Sequence, residues 1–169
     1  PTITNGVVSG FSTTNYIKLI DVLDTSQPFI IESPVFSQDL IDNDVHYIFQ
    51  TWINYTSQGL RVFVQGNTLG LYYKLSGQTS YSSVSSSNII TANVKYQMRI
   101  EYTGTLYYVK WRNVDTNSEW YDIGTINNSA QLEGDNSQIW FGYHNSNPYG
   151  FVNGSLDLKQ FSITVDGVP

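Results

Sequence analysis

Residues 150–167 read GFVNGSLDLKQFSITVDG, and the rest of the chain is organised around this stretch. Its apolar residues fall on alternate positions, which is typical of a β-strand with one face in a core; they are Leu156, Leu158, Phe161, Ile163 and Val165. The alternation slips by one residue at Lys159 and Gln160, which predicts a β-bulge. Such a closing strand needs an open partner, and the alternating segment 16–20 is the best candidate. We therefore expect the two ends of the domain to lie side by side.

Short apolar or alternating runs, separated by turn residues, continue through the whole chain. Residues 96–102 and 106–112 flank Thr103-Gly104-Thr105, the pattern of a β-hairpin with a three-residue loop. Residues 2–15 indicate a loop or a short edge strand, and the serine-rich residues 77–88 indicate a surface loop. About ten short strands, with turns about every 8 to 15 residues and no helical periodicity, predict an antiparallel two-sheet sandwich.

Length and charge narrow the classes of function. The chain has 169 residues, and we expect a single domain over 1–169, excised from a longer protein. Eight basic residues against 14 acidic ones give a net charge of −6, which argues against nucleic acid as a partner. No apolar run reaches the length of a membrane span, and no cysteine is present to form a disulfide or to act as a nucleophile.

The composition is rich in aromatic and neutral polar residues. Aromatic residues make up 15% of the chain, with 13 Tyr and 4 Trp, whereas charged residues make up only 13%. One interpretation is that strands favour Tyr and Thr. The other is that flat rings mixed with amides and hydroxyls suit a neutral, polyhydroxylated ligand, whose CH faces pack on rings.

Strand alternation predicts which aromatic residues point away from the core. If the aliphatic residues of each strand face inward, the alternate residues face outward and form a surface that suits a saccharide. An aromatic pair near residue 120 and a loop at residues 144–149 add further candidate contacts. The candidate carbohydrate-binding residues are Trp52, Asn54, Arg61, Phe63, Tyr72, Tyr108, Trp120, His144, Asn145 and Tyr149. The alternative is that this face packs on other elements or on the remainder of the parent protein.

The acidic residues do not suit glycoside hydrolysis. That chemistry needs two carboxylates on one face flanking the scissile bond. The glutamates are Glu32, Glu101, Glu119 and Glu133, and none has an acidic residue two positions away on a predicted strand. No Gly-x-Ser-x-Gly motif is present either. We therefore expect no enzymatic activity and no catalytic residues.

One acidic loop is a candidate calcium site. Asp39, Asp42 and Asp44 place hard oxygen ligands within six residues, although without an EF-hand spacing. The alternative is a solvated loop. Apart from this ion, we expect no cofactor.

Three segments carry a resemblance to a known family. The hairpin MRIEYTGTLYYVKW (98–111), the strand IWFGYH (139–144) and residues 150–167 together resemble the concanavalin A-like, or laminin G-like, jelly-roll superfamily. More narrowly, GFSTTNYIKLI (10–20) with GSLDLKQFSITVDG (154–167) is similar to carbohydrate-binding modules in tail, baseplate and neck proteins of phages of lactic acid bacteria.

The resemblance implies a jelly-roll sandwich and a non-catalytic, lectin-like module. It implies a virion-surface, extracellular location, with host cell-wall polysaccharide and other virion proteins as partners. The alternative is a structural or protein-interaction module that decorates a virion or a cell-surface protein.

Overall fold

The computed structural model describes residues 2–11, 16–19, 27–51, 59–130, 138–142 and 154–166. These ranges form fifteen strands and one 3₁₀ turn. The strands are β1 (Thr2–Thr4), β2 (Val7–Ser9), β3 (Ile17–Leu19), β4 (Phe29–Glu32), β5 (Val35–Gln38), β6 (Val45–Gln50), β7 (Gly59–Gln65), β8 (Thr68–Lys74), β9 (Ser82–Ser86), β10 (Tyr96–Tyr102), β11 (Tyr107–Asn113), β12 (Tyr121–Ile126), β13 (Ile139–Phe141), β14 (Gly154–Asp157) and β15 (Ser162–Val165). Within these ranges, no helix has the length and apolar character needed to cross a membrane.

The strands pair into two antiparallel sheets. One has nine strands, in the order β1-β2-β14-β5-β10-β11-β12 with β4 between β10 and β15, and the other has six, in the order β3-β13-β6-β7-β8-β9. Their inner faces share one core, which contains Leu60, Val62 and Val64 of β7 together with Met98 and Ile100 of β10. The predicted jelly-roll sandwich is confirmed.

The two ends of the domain do lie side by side, but the predicted partner strand was wrong. β14 pairs with β2 through Leu156 and Val8, whereas β3 pairs with β13 in the other sheet. The hairpin of β1 and β2 has positive φ angles at Asn5 (52°) and Gly6 (82°). Asn-Gly is a strong hairpin signal, so Asn5-Gly6 could have predicted this hairpin and with it the partner strand β2.

The slip in the closing stretch is a 3₁₀ turn and not the predicted β-bulge. Residues Leu158–Gln160 form the turn, and the Asp157 carboxylate accepts a hydrogen bond from the Lys159 amide at 3.0 Å. After the turn, β15 pairs with β4 along its whole length. Both a bulge and a turn change the phase of alternation, so the pattern alone did not distinguish them.

Two adjacent lines of strands in the nine-stranded sheet are each interrupted at the same level. β4 and β5 run along β10 with a break at Ser33, and the 3₁₀ turn separates β14 from β15. The fully buried Gln97 of β10 closes both gaps, because its amide donates to the carbonyls of Ser33 and Gln160, each at 2.9 Å. One side chain thus supplies hydrogen bonds to the backbone at both breaks.

The expected hairpin of residues 96–102 and 106–112 is confirmed, with Gly104 at a φ of 92°. Its loop has four residues and not the predicted three, since the last paired residues are Tyr102 and Tyr107. The loop expected over residues 77–88 was wrong in part. It contains β9, which forms the edge of the six-stranded sheet beside β8. The strand was missed because Val84 is its only apolar residue, so serine composition outweighed the alternation.

Two stacked tyrosines in the core make stability sensitive to alkaline pH. Tyr107 is fully buried, stacks on Tyr102 at 4.4 Å and donates a hydrogen bond to the Ala130 carbonyl at 3.0 Å. Burial, and secondarily the neighbouring Tyr102, raises the pKa of the Tyr107 phenol. The native protein therefore keeps a proton that the unfolded chain loses above a pH of about 10.

We expect the free energy of unfolding to be unaffected by this group below a pH of about 10. Above that pH it should fall by up to about 1.4 kcal/mol per pH unit, since the unfolded state then binds fewer protons. Urea unfolding between about pH 8 and pH 11 measures the slope. Tyr107→Phe, which cannot ionise, should show a shallower slope, and an unchanged slope in that variant would assign the effect to other groups.

Candidate functional site

A row of paired residues crosses the outer face of the six-stranded sheet from edge to edge. Directly paired residues share a face, and the pairings place in one line Lys18, Trp140, Gln50, Arg61, Tyr72 and Ser83. A second line beside it contains Tyr47, Phe63, Gly70 and Ser85. This face combines rings, amides and hydroxyls with the cations Lys18 and Arg61, whereas the opposite face of the same strands is apolar.

Three aromatic rings step outward across this face. Phe63 stacks on Tyr72 with ring centroids 4.2 Å apart, and Tyr81 meets Tyr72 edge-on at 5.5 Å. Gly70 makes the arrangement possible, because a Cβ there would lie 2.7 Å from the Phe63 ring and 2.6 Å from the Ser85 Cβ. The ring of Phe63 therefore lies over bare backbone and supports Tyr72 from below.

Among the described residues, Lys18 is exposed at the β3 edge of this face, and a larger exposed group lies at the β9 edge. Tyr72 is partly exposed, Tyr81 is 51% exposed, and Ser83 and Ser85 of β9 are exposed. We call these four residues the tyrosine platform. It presents two phenol rings beside two hydroxyl groups, and no charged side chain is among its members.

The prediction that Arg61 and Phe63 are exposed was wrong. Both point to the outer face, as the alternation predicted, but Arg61 is only 2% exposed and Phe63 only 3%. The Arg61 guanidinium lies 5.3 Å from the Tyr47 ring centroid. Alternation predicts the side of a sheet to which a residue points. It does not predict exposure, because other residues cover part of that side.

The prediction that Tyr108 belongs to the same belt as Tyr72 was also wrong. Tyr108 lies on β11 and Trp120 immediately precedes β12, so both belong to the nine-stranded sheet. Their outward direction is away from the six-stranded sheet, and they cannot share a surface with Tyr72. The periodicity of a strand indicates a face but does not indicate the sheet.

The remaining predicted site residues lie outside the described ranges. They are Trp52, Asn54, His144, Asn145 and Tyr149. Their assignment to a saccharide site stays a prediction. Conversely, the sequence interpretation omitted Tyr81, Ser83 and Ser85, since it read residues 77–88 as a loop. An exposed tyrosine next to an alternating Ser-Val-Ser segment was the available signal.

The platform keeps a neutral hydrogen-bonding character over a wide pH range. Burial, and secondarily the neighbouring Tyr81, raises the pKa of the Tyr72 phenol above its usual value of 10.0. The hydroxyl therefore stays protonated at physiological pH, when it can both donate and accept hydrogen bonds.

The candidate calcium loop is partly occupied by its own contacts. The Asp42 carboxylate lies 2.7 Å from His46 Nε2 and accepts a hydrogen bond from the Asp44 amide at 3.0 Å. Within the described part of the chain, no three His, Cys, Asp or Glu side chains are gathered to hold a metal. Carbonyl ligands can also serve calcium, so a site at Asp39, Asp42 and Asp44 stays a prediction.

Two glutamates of the nine-stranded sheet share one cation. Arg99 lies 3.6 Å from Glu32 and 3.6 Å from Glu101. The side chains of all three are about one quarter to one third exposed, an arrangement typical of a surface ion-pair network. We attribute a structural role to these carboxylates.

Searches of protein-family models and of curated proteins find no match for this chain. Solved structures share its fold. The chain is similar to the carbohydrate-binding module CBM40 of a Ruminococcus gnavus IT-sialidase bound to alpha2,3 sialyllactose, with 10% identity and a TM-score of 0.58, covering 93% of this chain and 90% of that one.

Two further structures are similar at comparable identity. The mouse laminin alpha1 LG4-5 domains match at 12% identity and a TM-score of 0.64, covering 99% of this chain and 43% of that one. The binding domain of botulinum neurotoxin DC in complex with SialylT matches at 13% and 0.60, covering 90% and 38%. At such low identities the likeness is one of fold, and the chain has the laminin G-like jelly-roll sandwich that its three quoted segments predicted.

Proposed function

We propose that this domain is a non-catalytic carbohydrate-binding module whose saccharide contact is the tyrosine platform. The observation that carries the proposal is the stepped stack of Phe63, Tyr72 and Tyr81 beside the exposed hydroxyls of Ser83 and Ser85. A pyranose ring presents an apolar CH face and a rim of hydroxyl groups. The phenol rings offer a surface for the CH face, and the serine and tyrosine hydroxyls offer partners to the rim.

The uncharged character of the platform favours a neutral sugar unit, and its open shape favours weak binding. A shallow contact with two rings supports a dissociation constant on the order of 1 mM, or about −4 kcal/mol. Useful adhesion then requires many copies or a repeating ligand, because linked sites multiply weak contacts into avidity. A polysaccharide displayed on a surface supplies such repeats.

The similar solved structures support a saccharide as the class of ligand. The Ruminococcus gnavus module is bound to sialyllactose, and its chain is matched over nearly its full length. That support is by analogy of fold, since one fold can carry several functions. The platform itself provides the physical reason for the assignment.

For the biological setting, we propose a phage virion protein that adheres to host cell-wall polysaccharide. The support is the resemblance of residues 10–20 and 154–167 to modules of tail, baseplate and neck proteins. A virion carries many copies of its structural proteins, which matches the weak single-site binding expected of the platform.

The test is retention of the fluorescently tagged domain on lactic acid bacterial cells and on their extracted wall polysaccharide. We expect binding by the parent and a loss of at least about tenfold in a Tyr72→Ala, Tyr81→Ala double variant, since both stacking rings are gone. Tyr121→Ala is the matched control, because Tyr121 is also a half-exposed tyrosine but lies on β12. Equal retention of the double variant would contradict the platform assignment, and no retention of the parent would favour a protein-interaction module.

A further inference from the structure

A groove of about 360 Å³ lies on the outer face of the nine-stranded sheet, on the opposite side of the sandwich from the tyrosine platform. Valine side chains form its apolar part, and the rest of its lining is mostly polar. The polar members are Ser37, Lys95, Arg112, Asn117, Ser155, Asp157 and Gln160. None of these residues belongs to the platform.

Arg112 enters this groove in a fixed orientation. Its Nε and Nη2 atoms both donate to the Oε1 atom of Gln97, and its guanidinium lies 4.6 Å from the ring centroid of Trp120. Gln97 is itself fixed, since its amide nitrogen is bonded to two backbone carbonyls. A guanidinium has five N–H donors, so those on Nη1 are not used by Gln97.

Among the described residues, no Asp or Glu oxygen lies within 4.0 Å of Arg112, whereas the nearby Arg99 pairs with two glutamates. Lys95 adds a second cation to the lining, and its ammonium only approaches Asp115, at 4.0 Å. The chain as a whole is acidic, with 8 cationic residues against 14 anionic ones. Two cations in the lining of one groove nevertheless create a local site for an anion.

The other end of the groove offers partners for hydroxyl groups. Asp157 lies on β14, three strands away from Arg112 on β11, a backbone separation of about 14 Å. Ser37 of β5 and Ser155 of β14 form the next pair on the same face, and their hydroxyls meet at 3.2 Å. Val7 and Val35 provide apolar surface beside Asp157. The groove thus has two cations towards β11, and hydroxyl groups, valines and the Asp157 carboxylate towards β14.

We propose that this groove is a second saccharide site that binds the carboxylate of an acidic sugar unit. The Arg112 fork and Lys95 receive the carboxylate, because a planar guanidinium matches a carboxylate in shape and charge. The ring hydroxyls meet the serines and Asp157, and the CH face lies on the valines. With the platform on the other sheet, one domain holds two saccharide contacts that face opposite directions.

The experiment is a titration of the 15N-labelled domain, followed by the NMR signals of the Arg112 Nε–H and of the Asn117 and Ser155 amides. The probes are glucuronate, glucose as the neutral match, and acetate as a carboxylate without a ring. We expect saturable shifts with glucuronate that weaken as ionic strength rises, weaker binding of acetate, and no shift with glucose.

Variants separate this site from its surroundings. Arg112→Met should weaken glucuronate binding at least about tenfold, and Lys95→Gln by about two- to threefold, since Lys95 is exposed and its replacement leaves the fold intact. Arg99→Met is the matched control, because Arg99 also lies near Trp120, at 5.9 Å, but is not part of the groove, and it should bind within about twofold of the parent.

The proposal is overturned if glucuronate causes no shifts, or if glucose or acetate binds as tightly as glucuronate. It is also overturned if both single variants, Lys95→Gln and Arg112→Met, bind glucuronate as the parent does. Tyr72→Ala should leave glucuronate binding at the groove unchanged. Failure here and failure of the platform are therefore distinguishable, since each site has its own variants and its own signals.

Discussion

Gly142→Ala is expected to lower the free energy of unfolding by about 3 kcal/mol or more. Gly142 has a φ of 66°, in the left-handed region that an alanine adopts only with strain. In addition, a Cβ at this position would lie within 2.7 Å of three ring atoms of Phe11. Phe11 is buried in the shared core, so its ring has no free space to move into.

Urea unfolding measures this loss, and Gly77→Ala is its matched control. Gly77 also has a positive φ, of 79°, but a Cβ there would meet nothing within 4 Å. We expect the control to lose only about 1 kcal/mol, the cost of the backbone conformation alone. Equal losses in the two variants would show that the close contact between Gly142 and the Phe11 ring adds nothing to the cost of an alanine at residue 142.

Gln97→Met is expected to destabilise the domain by about 3 kcal/mol. The replacement keeps the volume but leaves the buried carbonyl of Ser33 and the partly buried carbonyl of Gln160 without their amide donor. It also removes the acceptor of the Arg112 guanidinium. Each unsatisfied buried polar group costs about 1–3 kcal/mol, and some of this cost is recovered when water enters.

Thermal or urea unfolding checks the result against Gln160→Ala. The Gln160 side chain is exposed, and only its backbone carbonyl takes part in the contact, so this control should change stability by no more than about 0.5 kcal/mol. A loss below about 1 kcal/mol in Gln97→Met would mean that Gln97 does not hold the two strand breaks together.

The sequence was informative wherever alternation and a turn residue agreed. Residues 96–112 predicted the hairpin of β10 and β11, because Gly104 marks the turn and the inward phase is consistently apolar. The fold class followed from the repetition of such units. Local pattern and final structure coincide there because both are set by contacts between neighbours in the chain.

Alternation and turn residues could not predict which strands pair or which outward side chains are exposed to solvent. β14 pairs with β2 and not β3, and Tyr72 and Tyr108 point outward from different sheets, because long-range packing decides both. Phe63 is buried on an outward phase, since Gly70 gives its ring a place to lie against the sheet. The platform was therefore only partly predicted, with Tyr72 found and Tyr81 missed.

The most direct test of the saccharide assignment is NMR mapping with oligosaccharides released from the wall polysaccharide of a lactic acid bacterium. We expect saturable shifts at the amides of Tyr72, Tyr81, Ser83 and Ser85, with Tyr121 unaffected. These shifts should disappear in the Tyr72→Ala, Tyr81→Ala variant while the remaining spectrum stays that of a folded domain. Saturable binding that leaves all four platform amides unshifted would contradict the assignment of the saccharide site to the tyrosine platform.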